Sequence, residues 1–185
     1  MTSYPAAPVQ PTPAKPVRPG TLAAALGAAV VAGLLAVADG IVMLVGARDI
    51  ALDIAAKAIA QVTGQSVEAA RAGLNGEPGL LDDVVDTLHT RAYVLVVSGA
   101  ALVLFGLLMR GAAVWARVLV TLSALAAVGM ALRVVTDDGT GLLRGLAGVA
   151  LAVGVVAIVL AWLPANGRYA KEVKASKTPE ASKAS

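Results

Sequence analysis

Asp39 is the single acid within the apolar run from Leu22 to Ala47, and a carboxylate at that depth can hold a proton, hold a cation or pair with a basic side chain. An ionisable group at mid-membrane costs about 2.5–3.5 kcal/mol on insertion scales, so it turns toward a partner or a water-filled cavity. Arg133 and Arg144 stand near the outer ends of the third and fourth apolar runs. An arginine side chain extends well along a helix, so an ion pair of Asp39 with one of them is expected, and these three residues form the candidate polar site.

Other reactive groupings are sparse. His89 has no cysteine and no second histidine at ligand spacing, which leaves neither a zinc set nor a nucleophile–base pair. With no cysteine in the chain, thiol catalysis and disulfides are excluded. Asp82, Asp83 and Asp86 lack the alternating ligands and central glycine of a calcium loop, and a solvated helix face explains them. No glycine-rich stretch leads into a Lys-Ser/Thr pair, so a phosphate loop is not indicated. Basic residues are not interleaved with aromatics, which speaks against nucleic-acid binding. No catalytic, cofactor-binding or metal-binding residue is assigned, and an enzyme is not expected.

The elements that must position Asp39 are membrane spans. Hydrophobic residues make up 58% of the chain and charged residues 15%, with a mean hydropathy of +0.79; that balance lies outside the soluble classes. The apolar residues fall in four blocks, which predict spans over 22–47, 92–109, 112–135 and 142–163. Each reaches or approaches the roughly 20 residues a helix needs to cross about 30 Å of hydrocarbon. Barrel strands would instead show about 10 residues of alternating polarity. The expected fold is all-α: a four-helix transmembrane bundle with a small extracytoplasmic helical cap. Ala36-Val37-Ala38 has the form of a signal-peptide cleavage site, but the apolar run continues through Gly46, whereas a signal core of about 7–15 residues stops before its site. A retained first span is the reading adopted.

Basic residues set the orientation. Lys15, Arg18, Arg110, Arg117, Arg168, Lys171, Lys174, Lys177 and Lys183 fall on one side of the spans, which the positive-inside rule makes cytoplasmic. Both termini are thus expected inside the plasma membrane. Trp115 and Trp162 fall at the inner interface and Tyr93 at the outer one, as amphipathic rings prefer.

Three regions follow: a proline-rich cytoplasmic tail (1–20), a membrane domain (21–165) and a basic cytoplasmic tail (166–185). Pro5, Pro8, Pro11, Pro13, Pro16 and Pro19 predict an extended, disordered first tail. Lys, Ala and Ser after Pro164 predict a disordered second one. The outer segment 48–91 is too long for a plain connection. Ile50, Ile54, Ala58 and Val62 carry a helix on from the first span to a break at Thr63-Gly64-Gln65. Ser66 is a good N-cap for a helix from Val67 to about Leu74, and Asn75-Gly76-Glu77-Pro78-Gly79 is a turn. Leu80, Leu81, Val84, Val85 and Leu88 then form an apolar stripe leading into the second span.

Small residues suggest how the spans meet, since helix association in lipid relies on close backbone packing. Ala28, Ala32, Ala36 and Gly40 recur every fourth residue in the first span, and Gly141 and Gly145 open the fourth with the same spacing. A seam between spans one and four is expected. The very short turn near Arg110-Gly111 makes spans two and three antiparallel neighbours.

Taken together, Ala38-Asp39-Gly40, Leu80-Leu81-Asp82-Asp83, Arg110-Gly111-Ala112-Ala113-Val114-Trp115-Ala116-Arg117 and Trp162-Leu163-Pro164-Ala165-Asn166-Gly167-Arg168-Tyr169 give the chain a resemblance. From about Leu22 to Tyr169 it resembles uncharacterised small four-span integral membrane proteins of actinobacteria. The resemblance implies a membrane location and a tetraspan architecture and carries no catalytic residue with it.

The functional expectation is a structural, scaffold or accessory interaction protein. Its partners would be the lipid bilayer and either another membrane protein or further copies of itself. The alternative is a small proton- or cation-coupled transporter that uses Asp39.

Overall fold

A computed structural model of the chain describes residues 17–77, 79–111, 114–136 and 141–177. The proline-rich stretch 1–16, Asp137 and Asp138, and residues 178–185 with Lys183 lie outside them. The described residues form six α-helices: α1 (Gly20–Thr63), α2 (Val67–Asn75), α3 (Asp82–Leu108), α4 (Val114–Thr136), α5 (Gly141–Ala161) and α6 (Pro164–Lys177). Helices α1, α3, α4 and α5 are each long and apolar enough to cross a membrane.

Local chemistry explains where the helices stop. Pro19 is extended and its carbonyl accepts from the Leu22 amide at 3.0 Å, so α1 begins where the fixed φ of proline permits. Its 44 residues make a rod of about 66 Å, twice the roughly 30 Å of hydrocarbon it has to cross. It ends at Gly64, whose φ of 72° is left-handed and whose amide donates to the Ala60 carbonyl at 2.9 Å, a glycine C-cap. Two residues later the Ser66 hydroxyl accepts from the Ala69 amide at 3.2 Å and starts α2. Asp82 and Asp83 occupy the first turn of α3, where the helix dipole favours acids. A single 3-10 turn, Met109–Gly111, leads from α3 toward α4.

The spans alternate in direction. We call the end at which α1 starts proximal, and the end from which it projects distal. Helix α1 packs against α3 and α5, and α4 closes the ring between those two, an up-down-up-down bundle. Its distal half is filled by Ala36, Met43, Ala47, Leu88, Leu95, Ala131 and Ala147. Its proximal half is filled by Leu22, Ala29, Leu102, Met109, Val120 and Ala157. Beyond the distal end, Leu52 and Ala56 of α1 meet Ala70 and Leu74 of α2 and Leu81. Arg71 ties the same pair of helices together, with ion pairs to Asp53 at 3.2 Å and Asp49 at 3.8 Å.

Two expectations differ from what forms. Residues 166–177 were expected to be disordered, yet they belong to α6, with Pro164 as its first residue. The reason is Asn166, which is fully buried and tethers the helix, while Tyr169 and Ala170 pack on the proximal core. Once those contacts anchor one turn, a lysine-rich helix needs no apolar face of its own.

The second difference is the small-residue seam. The closest backbone approach is between α1 and α3: a Cβ on Gly33 would lie 2.6 Å from the Gly99 carbonyl oxygen. One on Gly40 would lie 2.9 Å from the Ala92 oxygen, and one on Gly106 3.2 Å from the Ala29 Cβ. A Cβ at Gly141 or Gly145 would meet nothing within 4 Å, although α5 does pack on α1 through other residues, Ala147 among them. Spacing by four advances roughly 40° around a helix at each step, whereas spacing by seven drifts back only about 20°. The ladder Ala28, Ala32, Ala36, Gly40 therefore winds off any one seam, while Gly33 and Gly40, seven apart, stay on it. Ala28 is only partly buried, whereas Ala32 and Ala36 are buried.

Candidate functional site

Asp39 is 1% exposed and its Oδ1 has no hydrogen-bond partner. It stands on α1 between Ala36 and Met43, which join a core cluster with Leu95 of α3, Ala127 and Ala131 of α4, and Ala147 of α5. The carboxylate thus lies in the part of the bundle where all four spans meet. Its helix neighbour Gly40 lets α3 come close on one side.

The expected ion pair of Asp39 with Arg133 or Arg144 is not seen at Oδ1. Ion pairs join Lys57 to Asp53 and Arg71 to Asp49 and Asp53, and Oδ1 of Asp39 accepts no hydrogen bond from either arginine. Arg133 and Arg144 are exposed, and each interacts with a group of the protein. Physically, a guanidinium at the end of a span keeps its hydration by turning outward, whereas pairing with a buried carboxylate would desolvate both charges.

A buried hydrogen-bonded cluster that was not foreseen lies at the proximal end, and of its buried side-chain polar atoms Arg117 Nε has no partner. Asn166 donates through Nδ2 to the Leu160 carbonyl at 2.8 Å and accepts from the Thr21 hydroxyl at 2.8 Å. Its own carbonyl accepts from Arg117 Nη2. Trp162 Nε1 donates to Thr121 Oγ1 at 2.9 Å, and that hydroxyl donates to the Arg117 carbonyl at 2.9 Å. Arg117 is 5% exposed, so this residue, read from sequence only as one of the basic residues that set the orientation, is also an internal tie between α4 and the start of α6. The lone signal for it was an asparagine two residues after a proline at a span end, which is too common to single out.

Between α3 and α4 the surface carries an apolar groove of about 530 Å³. His89 lies on α3 near the distal end and is partly buried, and Asp82, Asp83 and Asp86 occupy the opening turns of that helix. No cluster of three or more histidine, cysteine, aspartate or glutamate side chains suited to a metal occurs among the described residues. None of the family models, curated proteins or solved structures compared with the chain matches it. Among the described residues the molecule establishes an all-helical protein with four helices fit to span a membrane, enclosing a buried carboxylate with one oxygen that accepts no hydrogen bond.

Proposed function

We propose that the protein is a multi-pass membrane protein with a structural or accessory interaction role, held in the plasma membrane with both termini cytoplasmic. The observation that carries this reading is the scarcity of buried polar side chains around Asp39. The other buried polar side chains among the described residues are Ser98, Arg117 and Asn166. Thr21, which binds Asn166, is 18 residues back along α1, about 27 Å away. Ser98 lies nearer, about five residues along α3 from the level of Asp39, but its hydroxyl is spent on the Leu95 carbonyl; carriers line their paths with many polar groups. Alanine and glycine packing surrounds the carboxylate instead. The orientation rests on the basic residues at the proximal end, Arg168, Lys171 and Lys174 of α6 among them.

One observation favours a second reading, a small proton- or cation-coupled transporter: the unpartnered Oδ1 of Asp39. Two measurements separate the readings. The scaffold role predicts that photo-crosslinkers placed on the distal helices capture one recurring partner, or a second copy, equally in wild type and Asp39→Asn. It also predicts no proton or sodium flux above empty vesicles on reconstitution. Flux that Asp39→Asn abolishes would overturn it in favour of the carrier.

A further inference from the structure

We propose that the groove between α3 and α4 binds one acyl chain of an anionic phospholipid, with the phosphate held between Arg91 and Arg133. Its floor and walls come from Val97 and Ala101 of α3 and Leu122 and Ala126 of α4, with Tyr93 at its distal mouth. The lining is almost wholly apolar, and the Ser98 hydroxyl is already spent on the Leu95 carbonyl at 3.2 Å. The stretch Tyr93–Ala101 rises about 12 Å, close to one leaflet's share of a roughly 30 Å core. That length suits a lipid tail. A transmembrane helix would need a groove running the full depth.

The charges above the groove complete the match. Arg91 stands 18 residues before Met109, and Arg133 stands 19 after Val114. Counted from the turn that joins the two helices, they rise about 27 and 29 Å, so they share one level. Each directly ends an apolar run, which puts that level at the headgroups. Helical periodicity sets Arg91 on the face of Ser98, seven residues away, and Arg133 on the face of Ala126, also seven away. Tyr93 is 61% exposed and places an amphipathic ring at the same interface. Both arginines already contact other groups of the protein. A guanidinium carries five N–H donors in a planar fork, so a phosphate can be added to those contacts.

The test uses the full chain in mixed micelles containing equal dioleoyl phosphatidylglycerol and dioleoyl phosphatidylcholine, read by native mass spectrometry. Wild type should retain one phosphatidylglycerol in preference to phosphatidylcholine by roughly ten- to thirtyfold, the combined attraction of two basic residues for an anionic headgroup. Arg91→Gln with Arg133→Gln should erase that preference, and Arg91→Lys with Arg133→Lys should restore most of it. Ala126→Phe, which fills the groove, should lower retention of both lipids, while Leu104→Phe, another exposed site, should not. Equal retention of the two lipids by wild type, or a preference untouched by the double glutamine variant, overturns the proposal. So does a dimer that Ala126→Phe dissociates, since a second copy would then be the occupant.

Discussion

Gly33 and Gly99 lie so close that a Cβ on either would sit 2.6 or 2.7 Å from the other's carbonyl oxygen. Two antiparallel spans therefore meet backbone to backbone at that level, and Gly40 against Ala92 repeats the contact seven residues along α1. Neither backbone can retreat without opening the alanine layers on both sides. Gly33→Ala or Gly99→Ala should destabilise the bundle by about 1–3 kcal/mol, the usual cost of overpacking. Gly145→Ala, with open space at its Cβ position, should be neutral or gain up to about 1 kcal/mol from helix propensity. Unfolding in bicelles by steric trapping measures both, and equal losses at the two sites would sink the assignment of the seam.

Asp39 carries a prediction of unusual sign. An ion pair with Arg133 or Arg144 would make every single change there destabilising, whereas a buried carboxylate with an unpartnered oxygen costs the fold energy. Asp39→Ala should thus stabilise the protein by on the order of 1–3 kcal/mol, the relief from an unsatisfied buried polar group less the small cavity left. The same bicelle unfolding assay reads it. A clear loss of stability would mean that the carboxylate holds a partner when the protein sits in a membrane.

The proximal cluster should fail as a unit. Asn166→Leu leaves the Thr21 hydroxyl and the Leu160 carbonyl without their bonds, at a cost of roughly 1–3 kcal/mol. Helix α6 should then fray. Hydrogen–deuterium exchange over residues 164–177 ought to rise several-fold with little change in the centre of α3. Unchanged protection there would show that α6 is held by something other than Asn166.

Topology can be read directly because the chain has no cysteine. Ser66→Cys at the start of α2 and Ser176→Cys near the end of α6 both occupy exposed sites. In intact cells an impermeant maleimide should label the first and spare the second until the membrane is opened. The reverse pattern would invert the orientation proposed from the basic residues.

Much of the helical layout was legible from residue order. Four spans followed from block hydrophobicity, because backbone groups in lipid must satisfy one another within a helix. The break at Gly64 and the cap at Ser66 were equally readable, since both are local chemistry acting within a few residues. Helix α6 was missed because its stability comes from tertiary contacts of Asn166 and Tyr169, not from its own lysine-rich composition.

For Asp39, sequence alone determined depth: a carboxylate buried in a span, beside small residues. Which charge it would meet was beyond it, because pairing depends on the rotation of four helices about their axes, and block hydrophobicity says nothing about rotation. Tertiary structure set that rotation through the glycines. Gly33 and Gly40 draw α1 onto α3, and with that face committed Asp39 is buried in the bundle while Arg133 and Arg144 stay at its exposed rim.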